Sequence, residues 1–453
     1  MFLNSQSPED DRRSSTERNP TVQFPLASDE NLQLLEDEGY GNNIYNETGE
    51  TIKPTKIEPD VYFAFFMIGV SCLAPYFVFM VTLSFLTPLI KRDDALKSTP
   101  NIIITCSTLT SFIAQALLSR RSLKIEPRKT IAGTLLFIVI IFIIMGIFSL
   151  ISAMPTRVYF TFLVVFNILT SLAGAAMQFV SFKLTAAYGI FYSQAINTGQ
   201  GISGIFPPLV QFISIASSGK SPDDLEMFDG QAVMIFFLVS AIIVFGSFLS
   251  QRPLNRGRGE LREDNSASNL YSGAGVLQPS QNYWSWNALK KLGALGFAIS
   301  FVFIVTLSIF PVVTSTVCPV SKTYSRYFVP AHIMAFNLAD LTGRALVSLR
   351  RLRCTNVTHL AIASISRLGF MLAFALCNVG CKGAIIPSDA FFFLVIILFG
   401  ISNGWVTSCC FLAVPGKVKD GIDESMGLMS VLLCFGLVIG SAISFIISEI
   451  LDV

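Results

Sequence analysis

The chain has 453 residues, of which 52% are hydrophobic and only 14% charged, with 32 Lys and Arg nearly balanced by 30 Asp and Glu. A mean hydropathy of +0.61 indicates a membrane protein with many spans and not a soluble enzyme; the net charge of +2 says nothing about nucleic acid, and no nucleic-acid partner is expected. Its nine cysteines mostly sit in apolar runs and read as small hydrophobes, so no disulfide framework is expected; two histidines, His332 and His359, with no His/Cys cluster predict no metal site and no cofactor.

Residues 1–57 are rich in Ser, Asn, Asp and Glu and hold no apolar span. They predict a disordered tail, and lack the basic start and apolar core of a signal peptide. Glu30-Asn31-Leu32-Gln33-Leu34-Leu35 fits the acidic dileucine pattern that adaptor complexes read on cytosolic tails of endolysosomal and vacuolar proteins. Glu30, Leu34 and Leu35 would be the residues taken by such a partner, and the run favours a vacuolar or lysosomal membrane over the plasma membrane. The plainer reading is a Leu-bearing piece of tail.

Eleven apolar runs follow, each near the roughly 20 residues a helix needs to cross a bilayer: 61–88, 101–119, 130–153, 158–181, 191–215, 231–250, 293–316, 328–349, 359–380, 388–413 and 425–448. The expected fold is an all-α membrane protein with eleven transmembrane helices. With the tail in the cytosol, the Arg- and Lys-rich loops (Arg120 to Lys129, Arg252 to Lys291, Arg350 to Arg353, Lys417 and Lys419) fall on the cytosolic side, as positive charge prefers. The first loop, with Lys91, Arg92 and Lys97, breaks the trend, and Asp93 and Asp94 sit beside those residues. Residues 251–292, rich in Gly, Ser and Asn, read as a cytosolic linker between a six-helix bundle over 58–250 and a five-helix bundle over 293–453. Such a pair of bundles can rock around a central path.

Polar residues inside spans are costly and need a reason. In Phe336-Asn337-Leu338-Ala339-Asp340-Leu341-Thr342-Gly343-Arg344, the Asp and the Arg each cost about 2.5–3.5 kcal/mol on insertion scales. Asn337, Asp340 and Arg344 share one helical face, and Asp340 with Arg344 forms an i, i+4 pair. A structural ion pair locking two helices and a polar lining of a water-filled path both fit. Gln178, after Gly174, offers a donor and an acceptor, either to another helix or to a ligand. Gly199-Gln200-Gly201-Ile202-Ser203-Gly204 has the spelling of a dinucleotide loop, but no strand precedes it and it lies in an apolar span. Gly199 and Gly204 instead predict close helix approach or a flexible point. Lys183 closes the fourth span and is expected to snorkel to the cytosolic interface. Arg367 in the ninth span and Asn403 in the tenth are candidates for cytosolic-side gate contacts. No nucleophile, base and acid arrangement suggests an enzyme.

With these residues assembled, the chain from its first span to its last resembles the equilibrative nucleoside transporter family. Tyr327-Phe328-Val329-Pro330 followed by Phe336, Asn337, Asp340, Gly343 and Arg344 is similar to the family's eighth-helix signature. Ser402-Asn403-Gly404-Trp405, Pro415-x-Lys417-Val418-Lys419, Gly174-x-x-x-Gln178 and Gly199-Gln200-Gly201-x-x-Gly204 also match. The resemblance implies a major-facilitator-like 6+5 layout and passive movement of nucleosides, and sometimes nucleobases, by alternating access. It implies that Asp340 and Arg344 contact ribose hydroxyls, that Gln178 and Asn337 support the site, and that Tyr76 and Met80 flank the base. One departure is plain: the family's first span usually reads Pro-Trp-Asn, and here it reads Pro75-Tyr76-Phe77. A proton-coupled nucleoside transporter and a non-transporting nucleoside sensor or trafficking protein of the same fold are the alternatives.

Overall fold

The computed structural model describes residues 58–92, 99–120, 126–151, 155–218, 230–254, 286–321, 325–418 and 421–451. The dileucine-like run and residues 255–285 of the linker lie outside the described residues. Among the described residues the first helices are α1 (Pro59–Arg92), α2 (Thr99–Arg120), α3 (Pro127–Ser149), α4 (Thr156–Tyr188), α5 (Tyr192–Ser203), α6 (Phe206–Ser218) and α7 (Gly230–Leu249). The linker ends in α8 (Trp286–Leu292), and after it come α9 (Ala294–Ile309), α10 (Val312–Ser315), α11 (Ser325–Leu346), α12 (Val357–Ser366), α13 (Leu368–Ala375), α14 (Asp389–Leu412), α15 (Val414–Lys417) and α16 (Ile422–Leu451). Among the described residues the exception to helix and loop is one antiparallel bridge, Val317 to Val379.

Helix starts follow local chemistry. Pro127 opens α3 where no N–H is needed. Asn356 caps α12, its side chain accepting from Thr358 N and His359 N at 3.0 and 3.3 Å. Ser388 caps α14 by accepting from Phe391 N.

Nine helical stretches of the described chain are long and apolar enough to cross a bilayer. They coincide with nine of the eleven expected spans. The other two expected spans are helical but differ in kind. The fifth is broken at Gly204-Ile205 into α5 and α6. The eighth is α11, whose 22 residues reach about 33 Å at 1.5 Å per residue, but which carries His332, Asn337, Asp340 and Arg344.

Large apolar side chains face outward along these helices, Ile242 at 62% and Leu372 at 74% exposed. In water this would be a liability; against lipid chains it is the favoured contact. Between helices, small and polar residues replace the hydrophobic drive that lipid removes. Ser71 bonds Ser247 at 2.6 Å, joining α1 to α7. Ser107 donates to Asn167 Oδ1 at 2.8 Å, and Asn167 Nδ2 to Ile103 O at 3.1 Å, joining α2 to α4. Ser300 donates to Leu432 O at 2.8 Å, joining α9 to α16. An aromatic cluster holds α9, α11, α13 and α14 together: Phe310 stacks on Phe336 at 3.9 Å, and Phe328, Phe374, Phe392 and Phe399 complete it. Helix α11 runs along α14 and also meets α5 and α6; α16 runs along α9 and also meets α2 and α4.

The cysteine expectation needs correction. Cys318 and Cys381 form a disulfide with Cα atoms 5.3 Å apart, a separation the bond requires. Both sit in loops, after α10 and after α13, that fold onto each other. Cys318 N donates to Asn378 O and Gly380 N to Thr316 O, both at 3.0 Å. The Asp389 carboxylate accepts from Val320 N and Ser321 N. The other seven cysteines are free, and most of them are buried.

Candidate functional site

On α11, Asn337, Asp340 and Arg344 are buried while Leu338 and Thr342 are exposed, as one helical face demands. Asp340 Oδ2 accepts from Arg344 Nε at 2.7 Å, with the two side chains 7% and 5% exposed. Asp340 Oδ1 accepts from Asn403 Nδ2 on α14 at 2.6 Å. Arg344 Nη1 donates across to Asn197 O on α5 at 3.0 Å, and Gln194 Nε2 returns a bond to Arg344 O at 2.5 Å. The pair is therefore formed, and it ties three helices together. Each carboxylate oxygen keeps a second lone pair, and Arg344 has further N–H groups to offer.

Glycines make this closeness possible. A Cβ at Gly343 would stand 2.1 Å from Ile401 O, and one at Gly404 would stand 1.9 Å from Asp340 O. Helices α11 and α14 thus touch backbone to backbone. The glycine run at the end of α5 is packed as closely, Gly199 against backbone and Gly201 and Gly204 against side chains. A Cβ at Gly199 would meet Phe66 O of α1 at 2.1 Å, one at Gly201 would meet Arg344 Cδ at 3.0 Å, and one at Gly204 would meet Asn337 Oδ1 at 2.4 Å. Gly174 on α4 faces α1 less tightly, where a Cβ would be 3.1 Å from Cys72 O.

The remaining expected residues are arranged around this core. Phe77, standing where the family carries Asn, reaches Gly204: its Cζ would lie 3.2 Å from a Cβ there, beside Asn337. Tyr76 packs edge-on against Phe77 at 5.2 Å, and Tyr76 and Met80 are half-buried one turn apart on α1. Gln178 is buried on α4 but hydrogen-bonded to none of Asp340, Arg344 or Asn337. Arg367 and Asn403 meet each other, and Asn403 meets Asp340. Lys183 does not snorkel to open solvent. It is buried, and its Nζ lies 3.7 Å from Asp423 Oδ2 in the first turn of α16. Gly427 lets that turn approach, since a Cβ there would lie 3.0 Å from Lys183 Cγ.

Three residues at the site were not anticipated. The Asn197 amide and Gln194 Oε1 are buried without a hydrogen-bond partner among the described residues, next to the Arg344 guanidinium and carbonyl. Their signal was the uncharged polar run Ser193, Gln194, Asn197, Thr198 and Gln200 in an otherwise apolar span. Thr306 on α9 bonds Asn403 Oδ1 at 2.7 Å. A threonine in a span usually bonds its own helix, as this one also does to Val302 O, so its sequence carried no signal.

A family model described as nucleoside transporter matches residues 163–449, the stretch that carries Gln178, α5, α11 and α14. The chain belongs to the nucleoside transporter family. It is similar to equilibrative nucleoside transporter 1 of Homo sapiens, 26% identical over 446 residues, which cover 86% of this chain and 97% of that protein. It is also similar to nucleoside transporter FUN26 of Saccharomyces cerevisiae, 25% identical over 445 residues, which cover 86% and 84%. Among solved structures it resembles the major facilitator superfamily proton:xylose symporter XylE, with a TM-score of 0.55 at 12% identity over 86% of this chain and 88% of that one. That likeness shows a major-facilitator-like fold and nothing about substrate. Nucleoside transporters are carriers, not enzymes, and the buried charges of α11 belong to a family of carriers. Tyr76 and Met80 precede the residues that the family model matches.

Proposed function

We propose that this nucleoside transporter moves nucleosides down their gradient, and that Asp340 and Arg344 hold the ribose. The observation that carries this reading is the buried Asp340–Arg344 pair, with spare lone pairs and N–H groups, in a chain of this family. A ribose hydroxyl donates and accepts at once, and a carboxylate beside a guanidinium answers both roles. Asn337 and Gln178 support the site, and Tyr76 with Met80 flanks the base, the aromatic ring offering a stacking face.

Helices α5–α6 and α11 complete eleven crossings in this reading. Residues 58–250 and 293–453 rock as two bundles about the ribose site. The amino terminus is cytosolic. The Cys318–Cys381 bond supports this orientation, because loop charge puts both cysteines on the far side, and disulfides persist in oxidising compartments. The acidic dileucine run favours a vacuolar or lysosomal membrane over the plasma membrane, through an adaptor contact at Glu30, Leu34 and Leu35.

The test is flux into proteoliposomes holding the purified full chain, with a panel of nucleosides and nucleobases at two pH values. Nucleosides should equilibrate to equal concentration inside and out, with or without an imposed pH difference. Accumulation driven by that difference would mean proton coupling, and binding without flux would mean a sensor.

A further inference from the structure

Arg367 stands at the junction of α12 and α13 and is 1% exposed. Among the described residues, every acceptor of its hydrogen bonds is neutral. Its Nη1 donates to Phe399 O at 3.0 Å and to Ser402 Oγ, and its Nη2 donates to Thr306 Oγ1 at 2.7 Å and approaches Asn403 Oδ1 at 3.5 Å. The guanidinium lies over the Phe399 ring at 4.4 Å. A buried cation with only neutral acceptors needs an anion within electrostatic reach, and Asp340 is a carboxylate that acts on it through space. Between the two stands Asn403.

The Asn403 amide can sit in one orientation only. Its oxygen faces Arg367 and Thr306, and its N–H donates to Asp340 Oδ1 at 2.6 Å. Turned over, it would set N–H groups against the guanidinium and an oxygen against the carboxylate. The cation therefore orients the amide, and the amide holds one carboxylate oxygen of Asp340. With Oδ1 turned to Asn403, Oδ2 is the oxygen that faces Arg344 Nε.

We propose that Arg367 is a positioning residue of the nucleoside site. Through Asn403, and with Thr306 as a second shoulder, it sets the direction in which Asp340 presents its carboxylate and hence where the Arg344 guanidinium lies. It does not touch the nucleoside. This rests on the reading that Asp340 and Arg344 hold the ribose.

The experiment compares uridine with 2′,3′-dideoxyuridine, which lacks the 2′- and 3′-hydroxyls of the ribose and keeps the 5′-hydroxyl, as substrates of the full chain in proteoliposomes. KM for each is measured in wild type, Asp340→Asn, Arg367→Gln and Arg367→Lys. The expected result is that Arg367→Gln raises the uridine KM by about tenfold, the size of one hydrogen bond to a charged group, while the dideoxyuridine KM stays put. The ratio of the two KM values then collapses as in Asp340→Asn, and Arg367→Lys restores part of it. Combining Arg367→Gln with Asn403→Leu should add nothing to the worse single variant, since both act along one path. If Asp340→Asn collapses the ratio while folded Arg367 variants change only Vmax for both substrates, Arg367 is structural and the proposal is overturned. If Asp340→Asn itself leaves the ratio unchanged, the ribose reading falls instead. Where Arg367 variants do not fold, Thr306→Val keeps the cation in place, removes one shoulder, and carries the same prediction at smaller size; an unchanged ratio there overturns the proposal.

Discussion

Replacing Gly404 with Ala probes how far the site depends on bare backbone contact between α11 and α14. The new Cβ would lie 1.9 Å from Asp340 O and 2.9 Å from Arg344 N, whereas ordinary contact begins at 3.4 Å. The helices must part by about 1.5 Å, and the obstructing atoms are helical backbone, with no side-chain end to swing aside. The same movement stretches the Asn403–Asp340 bond from 2.6 Å to about 4 Å, beyond hydrogen-bond reach. Overpacking a filled core costs about 1–3 kcal/mol, and the lost interhelical bond adds about 1 kcal/mol in a membrane. Uridine uptake into proteoliposomes should fall at least about tenfold, and the thermal midpoint in detergent should drop. Gly369→Ala is the control: the same methyl on α13 meets nothing within 4 Å and should change neither. A Gly404→Ala protein with wild-type uptake and midpoint would refute the described contact, and with it the geometry assigned to Asp340.

Alkylating the denatured chain before reduction should modify seven of the nine cysteines, and all nine after reduction; nine in both cases, counted by mass spectrometry, would remove the Cys318–Cys381 bond. Lys183→Met leaves Asp423, 36% exposed, free to hydrate, so its cost should stay below about 1 kcal/mol. The order in which nucleosides compete for uptake should be unchanged; a changed order would put Lys183 in the substrate path. Leu34→Ala with Leu35→Ala should move the protein from an internal membrane to the cell surface by fluorescence imaging, and unaltered placement would remove the adaptor contact.

Much of the architecture was readable because membrane helices obey few rules. Nine apolar runs became helical stretches of the described chain long enough to cross, since a bilayer enforces both length and backbone pairing. Asp340 and Arg344 were readable as a pair because i, i+4 spacing dictates their meeting within one helix. What lay across helices was not. Cys318 and Cys381 are 63 residues apart, and only the folding of two loops onto each other brings them together. Lys183 looked like a terminal snorkelling lysine because nothing in its own helix reveals that the first turn of α16 supplies Asp423. The break at Gly204-Ile205 fits the flexible point that was one of two readings of Gly204, and the sequence could not choose between them, since a glycine that permits a tight crossing and one that ends a helix are spelled alike. Arg367 and Asn403 each stood out as polar residues in apolar spans, but their shared orientation toward Asp340 depends on how α12, α13 and α14 pack.

Uptake of labelled uridine by proteoliposomes containing Arg344→Ala, checked to be folded and inserted at the wild-type level, tests the ribose site most directly. Loss of uptake, with the wild type equilibrating uridine fully, is the result expected if the Arg344 guanidinium beside Asp340 is the ribose contact. Wild-type uptake by Arg344→Ala would contradict it and leave the pair as a lock between α11 and α5.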